Sequence, residues 1–233
     1  MMRVLITGSR KGIGRFLSEV FIERGYQVIG CSRGESDLNN KLYSHYQCDV
    51  CDELSAIKLI REVKKQFGGI DVLINNAGVA SMNHILSTPI DSIKNLLETN
   101  IIGTTLFSRE VAKLMIRQKI RGRIINFTTV ASALSLEGEA IYASSKAAVQ
   151  KYTQIAAKEF ADFNITVNCI GPNPIETDLI KAVPNDKIEK LLESQAIKRL
   201  GNYKDVLNVI DFFISEESNF ITGQTIYLGG VHD

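Results

Sequence analysis

The stretch "LITGSRKGIGRFLSEVFIERG", residues 5–25, decides the class of fold. A short apolar run leads into glycines at positions 8, 12 and 14, and apolar residues at helical spacing follow. This pattern predicts a strand, a tight turn and a helix. Glycines let the backbone approach a phosphate group, and the helix N-terminus offers free N–H groups and a positive dipole. The turn alone is weak evidence, because its G-x-x-x-G-x-G spacing departs from the common G-x-G-x-x-G.

Strand and helix patterns then alternate along the whole chain. Short apolar runs predict strands at 3–8, 26–31, 70–78, 122–129 and 164–171, with a weaker candidate at 43–50 and a last one at 223–230. Helical patterns occupy about 13–25, 53–67, 91–119, 139–161, 186–197 and 203–214. The alternation predicts an α/β fold in which helices cover both faces of a doubly wound, mostly parallel sheet of seven strands. No linker or repeat divides residues 1–233, so we expect a single domain.

Composition argues against several classes of function. The 233 residues are 45% hydrophobic and 23% charged, which is usual for a globular protein with a full core. A net charge of +1 gives no reason to expect nucleic acid or an anionic membrane as partner. No apolar run is long enough to span a bilayer, and the N-terminal "MMRVLITG" indicates a first strand rather than a secretory signal. We therefore expect a cytoplasmic protein.

The four cysteines include one C-x-x-C pair, Cys48 and Cys51. A zinc site needs two further ligands at suitable spacing, and the sequence offers none, so no metal is expected. A redox-active pair is the alternative. Ordinary reduced thiols in a cytoplasmic protein are the simpler interpretation.

The end of the second predicted strand favours a particular nucleotide. Folds that bind NAD place an Asp or Glu there, where it bonds the ribose 2′-hydroxyl. This chain has Ser32 and Arg33 instead, and Lys11 lies in the glycine turn. Each cation alone would be an ordinary solvated side chain, but the two together could hold a 2′-phosphate. NADP(H) is therefore the predicted cofactor, and NAD(H) is the alternative.

Seven short segments follow one another along the chain. They are "TGSRKGIG" (7–14), "CDV" (48–50), "NNAG" (75–78), "LLETNIIG" (96–103), "YASSK" (142–146), "GPNPIETD" (171–178) and "FITGQTIYLGG" (220–230). Together they resemble the motifs of the short-chain dehydrogenase/reductase family, in its 3-oxoacyl-acyl-carrier-protein reductase-like branch. The resemblance covers nearly the whole chain and implies a Rossmann-type fold with hydride transfer between NADP(H) and a carbonyl or secondary alcohol.

The resemblance and the charge argument also select residues that contact the cofactor. They lie in the glycine turn, at the ends of the second and third strands, in the fourth-strand motif, on the catalytic helix and in the segment over the nicotinamide. These residues are Gly8, Ser9, Arg10, Lys11, Gly12, Ile13, Gly14, Ser32, Arg33, Asp49, Val50, Asn76, Ala77, Gly78, Tyr142, Lys146, Pro172, Ile175 and Thr177.

One departure from the family lies in the segment over the nicotinamide. Pro-Gly is usual there, and this chain has Pro172 and Asn173. Asn tolerates a positive φ better than other non-glycine residues, so we expect Asn173 to preserve the turn. The following segment lacks strand pattern, and we expect a substrate lid around residues 176–200.

The predicted proton chemistry centres on Tyr142 and Lys146, which are four residues apart and share one helix face. A phenol with a pKa near ~10 is a poor base at neutral pH. A nearby ammonium and the positive nicotinamide should lower that pKa. The resemblance makes Tyr142 the general acid/base, places Lys146 against the cofactor ribose, and gives Asn100 a water in a proton relay.

A third hydroxyl must hold the substrate oxygen beside Tyr142. The resemblance implies a serine about thirteen residues before the tyrosine, and counting back gives Thr129. Strand alternation sends Thr128 and Thr129 to opposite faces, so we expect Thr129 to point at the substrate oxygen. Ser132, ten residues before Tyr142, is the alternative. A third interpretation leaves Thr129 as a β-branched strand residue with no chemical role.

Two functions remain open at this level. The first is an NADP-dependent reductase or dehydrogenase that acts on a small-molecule or carrier-bound carbonyl. The second is a regulatory or structural homologue that binds the cofactor with little or no turnover, which the changes at Thr129 and Asn173 keep open.

The helices at 91–119 and 139–161 resemble those through which family members form a homodimer or homotetramer. The basic segment 112–123 could meet an acidic carrier protein, or it is a solvated helix end.

Overall fold

The structure, a computed structural model, describes residues 1–175 and 185–232. Its centre is one sheet of seven strands in the order β3-β2-β1-β4-β5-β6-β7, and every neighbouring pair is parallel. The strands are β1 Arg3–Thr7, β2 Gln27–Ser32, β3 Tyr43–Gln47, β4 Val72–Asn75, β5 Arg123–Phe127, β6 Thr166–Gly171 and β7 Thr225–Tyr227. The doubly wound α/β prediction is confirmed, and each predicted strand has a counterpart.

Helices cover both faces of this sheet. Side chains alternate along a strand, so in β1 Leu5 packs on one face while Val4 and Ile6 pack on the other. The face of Leu5 carries α2, α4 and α6, and the opposite face carries α1 and α8. The helices are α1 Gly12–Glu23, α2 Glu53–Phe67, α3 Ile90–Leu97, α4 Thr104–Gln118, α5 Val130–Leu134, α6 Ala140–Phe160, α7 Asn185–Ser194 and α8 Tyr203–Ile214.

The long helix predicted at 91–119 is interrupted. Between α3 and α4 the chain makes a π-helical turn, Glu98–Gly103. Asn100 lies in this turn and is fully buried. A π-turn inserts one residue into the helical ladder, and such insertions are frequent at functional sites. Hydrophobic periodicity predicts the helix but does not register the insertion.

Two boundaries at the carboxyl edge of the sheet also differ from the prediction. The strand predicted at 70–78 ends at Asn75, because Asn76 turns toward β1 and its Nδ2 donates to the Thr7 and Gly8 carbonyls at 3.0 and 3.1 Å. The strand predicted at 122–129 ends at Phe127 and leads into α5, which the sequence did not predict. Five residues are too short a helix to show periodicity.

The C-x-x-C pair shows no sign of redox activity. Cys48 and Cys51 are free thiols, as are the other two cysteines. Burial, helped by the nearby Asp49 carboxylate, raises the pKa of each of the two to about 11. A redox-active pair needs a thiolate, so ordinary thiols are the better interpretation. Within residues 1–175 and 185–232, no cluster of His, Cys, Asp or Glu suits a metal ion. In the same part of the chain, no helix is long and apolar enough to cross a membrane.

Candidate active site

A cavity of about 1010 Å³ opens at the carboxyl edge of the sheet. Its size is at the upper end of ligand pockets, and it lies where open α/β sheets bind their ligands. Loops after β1, β4, β5 and β6 form its wall together with α6 and α7. The predicted site residues in this wall are Gly8, Lys11, Gly12, Ile13, Asn76, Ala77, Gly78, Thr129, Tyr142, Lys146, Pro172 and Ile175.

The glycine turn after β1 is shaped to receive a diphosphate. Gly8 has φ +69°, and a Cβ there would lie 2.9 Å from the Ala77 Cα. Gly12 has φ +59°, and a Cβ there would meet nothing within 4 Å. The turn is held from behind, because the Ala77 N–H donates to the Thr7 Oγ1 at 3.0 Å. A closely packed back and an open front at a helix N-terminus fit the pyrophosphate of a dinucleotide.

The end of β2 lies beside this turn and is basic. Arg10, Lys11 and Arg33 are exposed, and none of them has an ion-pair partner among the described residues. The Arg10 guanidinium covers Gly34, where a Cβ would lie 2.8 Å from its Nη1. The structure thus brings a third cation to the place where the sequence predicted two.

Ser9 and Ser32 are less available than predicted. Ser9 is fully buried, and its hydroxyl is 3.0 Å from the Tyr43 hydroxyl. The Ser32 hydroxyl donates to the Gly34 carbonyl at 2.7 Å. Both side chains shape the turn, so only the backbone of Ser9 can meet a ligand.

Several predicted residues do not line the cavity. Asp49 is exposed and its carboxylate accepts from the Cys51 N–H at 3.0 Å, while Val50 is buried. Thr177 lies outside the described residues, as do residues 176–184 of the predicted lid. The predicted residues that lie outside the cavity wall are Ser9, Arg10, Gly14, Ser32, Arg33, Asp49, Val50 and Asn100.

Tyr142 is half-buried in the cavity wall. Burial, with the negative charge of Glu139, raises the pKa of Tyr142 to about 12, and the nearby Thr129 hydroxyl acts in the opposite direction. The sequence predicted that Lys146 and the positive nicotinamide together lower this pKa. In the protein without cofactor the shift is upward, because the Lys146 ammonium donates to the Phe127 carbonyl at 3.0 Å and does not offset the burial of the phenol.

Lys146 is buried, with 5% of its surface exposed. Burial lowers the pKa of its ammonium to about 8. A Cβ on Gly78, in the fourth-strand motif, would lie 3.3 Å from the Lys146 Nζ and 3.2 Å from the Asn100 Oδ1. The amine, the Asn100 side chain and the "NNAG" segment therefore meet at one point of the site.

The three candidate hydroxyls have different partners. The Thr128 hydroxyl donates to the Lys146 carbonyl at 3.1 Å and is thereby engaged with α6. The Ser132 hydroxyl donates to the Thr129 carbonyl at 2.7 Å and lies 3.2 Å from the Tyr227 hydroxyl. Of the three, only the Thr129 hydroxyl affects the pKa of Tyr142, which it lowers, so this hydroxyl lies beside the phenol. The geometry therefore favours Thr129 over Ser132.

The Asn100 side chain is fully engaged inside the protein. Its Nδ2 donates to the Val79 carbonyl at 3.0 Å and to the Ser145 hydroxyl at 2.9 Å, and its Oδ1 accepts from the Val79 N–H at 2.9 Å. A water in the predicted relay would have to use the backbone carbonyl of the π-turn, because both amide donors are occupied.

Asn173 does not preserve a glycine-like turn. The non-glycine residues with positive φ in the described chain are Lys119, Ser135 and Asn164, so that prediction is wrong. Asn173 is buried, and its Nδ2 donates to the Gln195 Oε1 at 3.0 Å. Its amide thus ties the end of β6 to the segment after α7.

Sequence reasoning located the substrate part of the cavity only by range. The wall contains Glu139 between α5 and α6, and a mostly apolar set that the sequence did not single out. Tertiary structure alone brings these side chains together, so no local signal could have found them. The set comprises Met82, Ala131, Leu134, Leu136, Ile188, Leu191 and Tyr203.

A parallel sheet with this cavity at its switch point defines a nucleotide-binding α/β enzyme. A family model described as enoyl-(acyl carrier protein) reductase matches residues 8–232. A 3-oxoacyl-[acyl-carrier-protein] reductase of Salmonella typhimurium is 31% identical over an alignment of 234 positions, which covers 97% of this chain and 95% of that protein.

Solved structures agree with this match. ElxO with bound NADP has a TM-score of 0.89 and 31% identity, and the match covers 98% of this chain and 97% of that one. A 4-hydroxyisoleucine dehydrogenase complexed with NADH has a TM-score of 0.89 and 27% identity, over 99% and 98% of the two chains. The chain belongs to the short-chain dehydrogenase/reductase family and is an oxidoreductase.

Proposed function

We propose that this oxidoreductase transfers a hydride between NADP(H) and a carbonyl or secondary alcohol, with Tyr142 as general acid/base. The observation that carries the proposal is the placement of Thr129, Tyr142 and Lys146 together in the cavity wall. When bound, the nicotinamide supplies or accepts the hydride. Thr129 holds the substrate oxygen against the phenol, and Tyr142 exchanges the proton with that oxygen.

The protonation states suit the reductive direction. With a pKa of about 12, the Tyr142 phenol keeps its proton at neutral pH and can donate it to a carbonyl oxygen. Lys146, with a pKa of about 8, is mostly cationic at neutral pH and can supply a proton in turn. In the proposed proton relay, Lys146 would also bond the cofactor ribose, and the backbone carbonyl of Asn100 would hold a water.

The residues that would hold the cofactor are divided between its two ends. The glycine turn receives the diphosphate, Asp49 and Val50 meet the adenine, and the "NNAG" segment borders the adenosine side. Lys11 and Arg33 hold the 2′-phosphate, and Arg10 lies close enough to assist. Pro172, Ile175 and Thr177 cover the nicotinamide. ElxO with bound NADP supports this choice, and the NADH-bound neighbour keeps NAD(H) as the alternative.

The further assignments rest on partial support. The substrate is a small-molecule or carrier-bound carbonyl, and the acyl-carrier substrate in the relatives' names favours the second. Around residues 176–200 we place a substrate lid, because Ile188, Leu191 and Ser194 of this range line the cavity. A homodimer or homotetramer fits the family. The cytoplasm is the proposed location, because the four cysteines are free thiols.

Turnover tests the central proposal. Tyr142→Phe should lower NADPH oxidation with any accepted carbonyl by about a hundredfold to ten-thousandfold, because it removes the proton donor alone. NADPH affinity, measured by fluorescence titration, should stay unchanged. Equal turnover by the variant would contradict the role of Tyr142. Saturable NADPH binding by the wild type without turnover of any carbonyl would favour the regulatory or structural homologue instead.

Cofactor choice is tested separately. Arg33→Asp should weaken NADPH binding by about tenfold to a hundredfold, because a charge-assisted bond to the 2′-phosphate is lost, and it should improve NADH binding. The control is Arg121→Asp, which makes the same charge change at an exposed position far along the chain. An unchanged ratio of NADPH to NADH affinity in Arg33→Asp would discard the 2′-phosphate site.

A further inference from the structure

Glu139 is a carboxylate that the proton chemistry does not use. It lies in the cavity wall three residues before Tyr142, at the N-cap position of α6. An N-cap carboxylate usually accepts from the first backbone N–H groups of its helix. The Glu139 side chain makes no such bond, and it has no hydrogen-bond or ion-pair partner among the described residues. Its oxygens are thus available to a ligand.

The surroundings make an unpaired carboxylate costly. Glu139 is half-buried, and burial raises the pKa of its carboxyl group. The nearby wall is largely apolar, formed in part by Met82, Leu134 and Leu136. A carboxylate that is partly removed from water without a donor loses hydration that nothing replaces, and the loss is larger while it carries its charge. A ligand that brings a donor removes this cost.

We propose that Glu139 determines substrate specificity by accepting a hydrogen bond from a hydroxyl or ammonium group that the substrate carries beside its reacting carbonyl. The proposal rests on the proposed function, since the carbonyl is the group that Tyr142 protonates. Glu139 and Tyr142 both line the cavity, and they lie close enough for the Glu139 charge to raise the pKa of Tyr142. A donor on the carbon next to the carbonyl therefore suits Glu139 while the carbonyl oxygen meets Tyr142.

This assignment narrows the substrate class. A plain 3-oxoacyl chain presents a methylene group next to the reacting carbonyl and leaves the carboxylate unpaired. A hydroxyketone or aminoketone supplies the donor that pairs with the carboxylate. Discrimination of this kind is strong, because a site built to bond a donor rejects the analogue that lacks it.

The test uses three ketones of equal size: hydroxyacetone, aminoacetone and butanone. Their binding to NADPH-loaded Tyr142→Phe, which prevents turnover, is measured by ligand-observed NMR. The same measurement follows with Glu139→Leu and Glu139→Gln added. The Glu139→Leu variant should bind hydroxyacetone and aminoacetone about tenfold to a hundredfold more weakly, and it should bind butanone more tightly. The Glu139→Gln variant should lose more affinity for aminoacetone than for hydroxyacetone. Glutamine keeps an acceptor oxygen for the hydroxyl group but loses the negative charge that attracts the ammonium group. Gln is also close in size, so it separates the effect from misfolding.

Glu159→Gln is the control, since Glu159 is an exposed carboxylate on the same helix and lies outside the cavity wall. Equal binding of butanone and hydroxyacetone before substitution overturns the proposal. So does a Glu139→Leu variant with the same preference, or a Glu159→Gln variant with the same losses. If the wild type turns over none of the three while binding still depends on Glu139, the specificity assignment is supported and the hydride-transfer proposal is not.

Discussion

Thr129 keeps the hydroxyl that a serine would offer and adds a methyl group, which restricts χ1. One bond already orients this hydroxyl: it accepts from the Ala131 N–H at 3.3 Å, and this bond also caps α5. A hydroxyl that is oriented before the substrate arrives needs no reorganisation during the reaction.

Substitutions at Thr129 should separate the hydroxyl from the methyl group. Thr129→Val keeps the shape and removes the hydroxyl, so kcat/KM for NADPH-dependent reduction should fall about a hundredfold to a thousandfold. Thr129→Ser should retain most of the activity. Ser132→Ala is the control, because the Ser132 hydroxyl is bonded to the Thr129 carbonyl. A larger loss in Ser132→Ala than in Thr129→Val would transfer the role to Ser132.

For single residues, the sequence predicts which side chains form the site better than it predicts their pKa values. Tyr142 and Lys146 share a helix face by spacing alone, and both lie in the cavity wall. The direction in which the pKa of Tyr142 shifts could not be predicted from the sequence. It depends on burial and on the Glu139 charge, and both follow from tertiary packing.

The helix interrupted between α3 and α4 shows that local sequence pattern also misses details of secondary structure that depend on distant contacts. Periodicity predicts a helix over 91–119, because a single inserted residue barely disturbs it. The π-turn is stabilised by the Asn100 amide, which bonds the backbone of Val79 and the hydroxyl of Ser145 on α6. These partners lie 21 and 45 residues away along the chain, beyond the reach of any local pattern.

Asn100 should therefore matter for stability as well as for the relay. Asn100→Leu strands the half-buried Val79 backbone groups and the hydroxyl of buried Ser145, so the free energy of unfolding should fall by about 3 kcal/mol. Ser145→Ala removes one of the same bonds and should cost about 1 kcal/mol. Urea unfolding followed by circular dichroism measures both. Equal losses in the two variants would show that the bonds to Val79 contribute little.

Across the whole molecule, the motif order predicts the site well, because the carboxyl ends of parallel strands meet at one edge of the sheet. Turns after β1, β4, β5 and β6 all reach the cavity. What the sequence could not supply are contacts between distant segments, such as Asn173 with Gln195. The reason for an asparagine at this position lies 22 residues further along the chain.

The surface of the molecule supports the oligomer that the family resemblance implies. The two long helical segments each leave an isoleucine half-exposed, Ile102 in the π-turn and Ile155 on α6, both at 50%. Burial of such side chains between subunits stabilises association. Phe220, near β7, is 97% exposed and suits a second contact.

Ile155→Glu should therefore reduce the mass of the assembly, because a charge in an apolar interface loses its hydration without gaining a partner. We expect a dimer or tetramer for the wild type and a smaller species for the variant, by light scattering after size exclusion. Leu54→Glu is the matched control, since Leu54 is 78% exposed at the start of α2, outside these helices. A wild-type monomer, or equal masses for wild type and Ile155→Glu, would contradict an interface at α6.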